Sequence, residues 1–268
     1  MPFIDLPRSS GAPGAGPARI HYRERGRGEV VLLLHGGWGH DAYPFDAQLE
    51  ALAARWRAIA PDRVGYGRSG RPSPLPDGFH QRMAEETFLL LDALGIRRAA
   101  VWGHSDGSVI AAWMALQQPS RVRALVLEAF HFTPMKASSR EFFETGAAAP
   151  ERFGAATVAA VSGEHGDAWR DVIGHGARAW LRLIEAGPAQ GPDLYQGRFG
   201  EITAPTLLLH GRRDLRSEPG ELEAAQRALP AAQLALLDTG HSPHNGSAAR
   251  AATAAAVAFL DEALAGGR

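Results

Sequence analysis

The sequence contains no cysteine, which removes thiolate nucleophiles, Cys-ligated zinc and disulfide redox chemistry together. Lysine is almost missing as well. Lys136 is the only one in the chain, so an amine catalyst would have to be that residue, and its neighbours supply no apolar setting suggestive of a Schiff base. An excess of one charge is also lacking: 28 Lys and Arg against 29 Asp and Glu leave a net charge of −1. With no basic stripe visible, a nucleic acid or an anionic membrane is not expected as a partner. No run of about 18 apolar residues could cross a bilayer, and Met1-Pro2-Phe3-Ile4-Asp5 lacks the basic start and apolar stretch of a signal peptide. The expectation is a soluble, cytoplasmic protein.

What is present is a chain of 268 residues, 45% apolar and 21% charged. That composition excludes a disordered tail, a collagen repeat and a disulfide scaffold. It provides enough apolar surface for one large α/β domain. No fixed-period repeat or coiled-coil seam is visible.

Residues 9–18, rich in Pro and Gly, read as a flexible connection. Beyond it Ile20 to Arg25 alternates as a half-exposed strand, and Val30 to Leu34 is a continuous apolar run typical of a buried one. Phe45, Leu49, Leu52 and Trp56 then recur at helical spacing. The alternation continues. Short apolar runs at Ala58 to Ala60, Ala99 to Trp102, Ala124 to Leu127 and Thr206 to Leu209 are interleaved with helical patterns at Met83 to Leu94 and Val109 to Gln118. A weaker strand at Leu234 to Leu237 and an Ala-rich helix ending near Leu264 close the chain. Strands alternating with helices imply a mostly parallel sheet covered on both faces. The long stretch between Leu127 and Thr206 has helical texture and is too long for an ordinary connection. It is read as a helical cap over residues 131–200, inserted into a core formed by 1–130 and 201–268. Phe132, Phe142, Phe143, Phe153, Trp169, Trp180, Leu181, Ile184, Tyr195 and Phe199 are expected mainly to form the cap's own core.

The strongest chemical signal is Gly103-His104-Ser105-Asp106-Gly107 between a predicted strand and a predicted helix, which fits a G-x-S-x-G nucleophile elbow. Glycines two residues either side of Ser105 relieve a turn too tight for side chains, and the helix start aims backbone N–H groups at the same point. A serine needs a base. His241, after the last predicted strand, is the candidate, with His244 as its neighbour and competitor. The base needs a carboxylate to fix its tautomer. Asp214, after the strand Thr206 to Leu209, is preferred, with Glu128 at the end of the preceding strand as the rival. Asp62 is read as bracing its own turn, Asp62 to Gly70.

Two donors are needed for an oxyanion: the amide of Asp106 and one from Gly37 or Trp38 in His35-Gly36-Gly37-Trp38-Gly39. That loop has neither P-loop nor dinucleotide spacing. His35, Asp62, Ser105, Glu128, Asp214 and His241 all lie just past predicted strand ends, the edge at which open parallel sheets bind ligands. His131, His165 and His175 lack metal-ligand spacing, so no metal and no cofactor are expected.

These residues resemble the α/β-hydrolase fold family of serine hydrolases, over nearly the whole chain after the connection. The resemblance implies an eight-stranded sheet, with Phe3 to Leu6 as its first strand, and a lid between strands six and seven. It says far less about substrate; the apolar and aromatic content of the cap suits attack by Ser105 on a small or medium ester, thioester or lactone with an apolar acyl part. The same set supports amide or carbon–carbon hydrolysis and perhydrolysis, or a small-molecule receptor with residual activity. Dehalogenase and epoxide hydrolase members place an Asp where Ser105 stands. The Ser105-Asp106-Gly107 elbow resembles valacyclovir-hydrolase-like members, in which the acid is thought to receive an ammonium group. For Asp106 that reading stands beside the preferred one, a local hydrogen bond favoured by the helix dipole. Trp38, Asp106, His131 and Phe132 are the candidate substrate contacts, the partner is a small molecule, and a homodimer through the cap or last helix is compatible with the sequence.

Overall fold

The structure is a computed structural model describing residues 2–9, 16–134 and 136–265; residues 10–15 of the predicted flexible connection lie outside the described residues. The apolar runs become strands: β1 (Phe3–Leu6), β2 (Ala18–Arg25), β3 (Val30–Leu34), β4 (Arg57–Pro61), β5 (Ala99–His104), β6 (Val122–Glu128), β7 (Thr206–Gly211) and β8 (Gln233–Leu237). They form one sheet in the order β1-β2-β4-β3-β5-β6-β7-β8. β1 and β2 are antiparallel to their neighbours, and β3 to β8 run parallel. After β3 the chain adds β4 on one side and then crosses to add β5 on the other. The sheet therefore has its topological switch point between the carboxyl ends of β3 and β5, where a crevice opens.

Because side chains alternate along a strand, each continuous apolar run supplies both faces. Leu32, Leu34, Val101, Leu125 and Leu127 pack with α2 (Phe79–Ala93) and α3 (Asp106–Gln117). Val31, Leu33, Ala100, Trp102 and Val126 pack on the other side with α1 (Asp46–Ala53) and the last helix. α3 is buried from Asp106 to Leu116 on every face, as a helix apolar all round must be.

Between β6 and β7 the described residues form three α-helices, α4 (Arg140–Ala148), α5 (Ala155–His165) and α6 (Trp169–Ala186), with short 3-10 turns. Their large apolar residues do not make a core of their own. Phe132, Phe143, Trp180, Tyr195 and Phe199 belong to the same buried cluster as Leu32 and Val101. Only Val161, Trp169 and Ile173 form a separate small cluster, with Trp38 packed against it. The reason is geometric: the insert lies on the carboxyl edge of the sheet, so its apolar faces continue the core instead of enclosing a second one. α7 (Glu221–Ala228) and α8 (Ala249–Ala265) complete the chain. Among the described residues no helix is long and apolar enough to cross a membrane.

Candidate active site

Ser105 sits at the tip of the turn from β5 into α3 with φ 54° and ψ −120°, a backbone conformation that costs a side-chain-bearing residue about 1–3 kcal/mol. The glycines around it are steric necessities. A Cβ on Gly103 would lie 2.1 Å from the Gly107 carbonyl oxygen, and one on Gly107 would lie 2.1 Å from that of Leu34. The turn can close this tightly against β3 only with hydrogen at both positions.

His241 Nε2 lies 3.1 Å from Ser105 Oγ, and His241 Nδ1 lies 3.0 and 2.9 Å from the two oxygens of Asp214. The rival carboxylate is engaged elsewhere. Glu128 Oε1 lies 2.7 Å from His244 Nδ1 and accepts the His244 backbone N–H at 2.8 Å, while Oε2 accepts the Trp102 indole N–H at 2.8 Å. His244 Nε2 faces the Tyr43 carbonyl at 3.1 Å. That oxygen can only accept, so Nε2 carries a hydrogen and is no base. Burial, then the positive charge of Arg216, push the His241 pKa down to about 4, against the pull of Asp214. For Asp214 burial acts upward, but the hydrogen bond and charge of His241 and the Arg216 backbone N–H outweigh it and leave the carboxyl at about 2. At neutral pH the pair is a carboxylate and an uncharged imidazole.

A cavity of about 530 Å³, counting its mouth, opens over Ser105 between the sheet edge and the insert. Its wall includes Gly37, Trp38, Asp106, His131, Phe142 and Trp180. His131 lies with Nε2 3.5 Å from Ser105 Oγ and its ring stacked on His241, and burial holds its imidazole neutral, well below the ordinary range. Phe132, expected in this wall, is not part of it. It packs against Tyr195 and Phe199 while its backbone N–H binds Glu221, because successive residues leave the strand end in opposite directions. Lys136 is buried in an ion pair with the same Glu221.

The loop after β3 is held from below. The Gly36 carbonyl accepts from His35 Nδ1–H and from Arg63 Nη2, each at 2.7 Å. Across a planar trans peptide the Gly37 N–H then points the opposite way, away from His35 and Arg63. The loop is also held from above. Glu164, near the end of α5, accepts the amides of His40 and Asp41 at 2.9 and 2.8 Å, and His165 Nε2 donates to the Trp38 carbonyl at 3.0 Å while Nδ1 accepts from Gly67 N–H. Burial, which outweighs the two amide bonds, raises the Glu164 pKa to about 7.

Asp106 is 3% exposed and is neither open to the cavity alone nor bonded only within its helix. Oδ1 accepts the Trp180 indole N–H at 2.9 Å and meets His80 Nε2 at 3.3 Å. Burial opposes its charge, but His80, Arg63 and Trp180 together hold its pKa below the usual value. Asp62 braces its turn through the Arg68 N–H at 3.0 Å and also binds His21 and Arg23. His104, Glu128 and His244 bring ligand-type atoms within 4.8 Å of one another. Both oxygens of Glu128 and both ring nitrogens of His244 already have protein partners, so a cation there would have to break existing bonds.

The sequence pattern of the alpha/beta hydrolase fold family matches residues 29–169. The chain belongs to the α/β hydrolase fold family. The chain is 32% identical over 243 residues to the magnesium-chelatase 30 kDa subunit of Rhodobacter capsulatus, covering 82% of this chain and 83% of that protein. It is 30% identical over 247 residues to the pimeloyl-[acyl-carrier protein] methyl ester esterase of Nitrosomonas europaea, covering 84% and 94%. A solved thermophilic esterase from Thermogutta terrifontis superposes with a TM-score of 0.75 at 21% identity over 98% of this chain and 99% of that one. The α/β hydrolase assignment makes the protein a hydrolase.

Proposed function

We propose that the protein is a serine hydrolase that cleaves a carboxylic ester, thioester or lactone of small or medium size through an acyl-enzyme on Ser105. The observation that carries this reading is the continuous chain Ser105 Oγ, His241 Nε2, His241 Nδ1 and Asp214, at 3.1 and 2.9 Å, beneath a cavity. An uncharged His241 removes the Ser105 proton as Oγ attacks the carbonyl carbon. Asp214 holds Nδ1–H and stabilises the imidazolium that results. The carbonyl oxygen becomes an oxyanion that the amides of Asp106 and Gly37 receive, the first at the positive end of α3 and the second turned by the clamp on the Gly36 carbonyl. His241 gives its proton to the departing alkoxide or thiolate. Water then enters, loses a proton to His241 and attacks the acyl carbon, releasing the acid and restoring Ser105.

The cavity volume suits a small or medium molecule, and the methyl ester esterase among the relatives favours carboxylic esters. The test is covalent labelling with a fluorophosphonate probe, the adduct located by mass spectrometry in the wild type and in His241→Ala. The expected result is an adduct on Ser105 that disappears without His241. No adduct on correctly folded wild-type protein, or one indifferent to His241, refutes the reading.

A further inference from the structure

The cavity wall contains a cation with nothing to neutralise it. Arg216 stands two residues after Asp214 in the loop following β7, and its backbone N–H donates to Asp214 Oδ1 at 2.9 Å. Its half-buried side chain reaches over the cavity, with the guanidinium carbon 4.1 Å from the centre of the Phe142 ring and 5.4 Å from that of Trp38. A guanidinium over an aromatic face is attracted by the ring's quadrupole, an interaction that takes up no hydrogen-bond acceptor. Among the described residues the guanidinium N–H groups of Arg216 make neither a hydrogen bond nor an ion pair.

The other charges nearby are already matched. Lys136 is paired with Glu221, Arg63 is spent on the Gly36 carbonyl and Met83, Asp214 serves His241, and Asp106 is tied to Trp180 and His80. Arg216 also depresses the proton affinity of His104, His131 and His241, so its field reaches the reacting end of the cavity. A planar donor fork held by aromatic rings and lacking an acceptor is complementary to a carboxylate, which it can bind through two parallel hydrogen bonds.

Resting on the reading of Ser105 as nucleophile, we propose that the physiological substrate is an ester carrying a free carboxylate, which lies on Arg216 while the scissile carbonyl lies at Ser105. Such a substrate is the half-ester of a dicarboxylic acid or an ester of comparable charge. The aromatic wall then accepts the methylene chain between the two ends, and Arg216 sets its length.

The test compares kcat/KM for monomethyl succinate through monomethyl suberate with uncharged methyl esters of the same acyl length, such as monomethyl adipate against methyl hexanoate. In the wild type the half-ester is expected to be favoured about 10- to 100-fold at the best length, the range of a charge-assisted hydrogen-bonded pair. In Arg216→Gln that ratio is expected to fall to about one, and Arg216→Glu is expected to favour methyl 6-aminohexanoate instead. A wild-type ratio near one at every length, or a ratio that survives Arg216→Gln, overturns the proposal. Ser105→Ala separates the two readings. Its calorimetric binding of monomethyl adipate against methyl hexanoate, with and without Arg216→Gln, reads the carboxylate site without turnover. Equal binding of the two ligands sinks the carboxylate site, whereas retained turnover in Ser105→Ala sinks the nucleophile alone.

Discussion

Asp214 with His241 and Glu128 with His244 are the same chemical pair in two surroundings. In each, a buried carboxylate binds Nδ1 of an imidazole that follows β8. What differs is the partner of the second ring nitrogen. His241 Nε2 meets a hydroxyl that can give up a proton, beneath a cavity. His244 Nε2 meets the Tyr43 carbonyl, and the ring is stacked on Phe45 at 4.2 Å. A carboxylate and an imidazole therefore do not by themselves make a base; the acceptor or donor beyond the ring decides whether the pair moves protons or fastens loops. Glu128 and His244 join β6, Trp102 and the segment after Tyr43 at a point with no exposure to solvent.

The sharpest way to break the comparison is to neutralise each acid. Asp214→Asn is expected to lower kcat on the order of 10⁴-fold, as removal of an orienting carboxylate does, whereas Glu128→Gln changes kcat per folded molecule only a few-fold. Steady-state kinetics normalised to titrated active sites decides it, and comparable losses in both variants end the distinction. Stability should show the reverse order. His244→Ala strands a buried carboxylate and is expected to cost about 3–5 kcal/mol in denaturant unfolding, more than His241→Ala, whose side chain is partly exposed where that of His244 is fully buried.

A third comparison concerns pH. Glu164 has a folded pKa of about 7 against an ordinary 4.5, so between those values the folded state binds more protons than the unfolded one and stability falls as pH rises. Removing that slope with Glu164→Gln should make the variant gain on wild type by on the order of 2–3 kcal/mol from pH 4.5 to pH 8. Unfolding curves at both values test this, and a constant difference refutes it. The smallest effect concerns His241 itself. In the proposed mechanism it must be uncharged to act, so kcat/KM is expected to fall only as pH drops below about 4. In Arg216→Gln the same limb should move to higher pH, because a cation that disfavours the imidazolium is gone. A limb that stays in place assigns the low value to burial alone.

Much of this architecture was legible in the chain. Val30 to Leu34 and Thr206 to Leu209 are apolar without interruption because both faces of a central parallel strand are covered, and the elbow glycines announce a turn that no Cβ fits. β8 was faint because it is the last strand at its edge, half-exposed along its length. The helix start at Phe79 was missed because Gly78 in a left-handed conformation opens it without a capping side chain. Asp106 to Trp180, Glu164 to the His40 and Asp41 amides, and Arg216 over Phe142 were invisible for a different reason. They join segments far apart in the chain, and no periodicity reports which side chain of an insert will meet which loop. Arg216 alone left a usable trace, a charge two positions beyond the candidate acid at a strand end.

The grip of Glu164 and His165 on the loops after β3 and β4 also limits how this protein can be rebuilt. Residues 131–200 look like a cassette that could be exchanged for another specificity module. Yet two adjacent side chains at the end of α5 bond to the backbone of Trp38, His40, Asp41 and Gly67. A transplanted insert lacking them would leave those loops without their upper anchor. The transferable unit is the insert together with both loops, and chimeras cut at the strand ends alone should inherit a new pocket above a slackened floor.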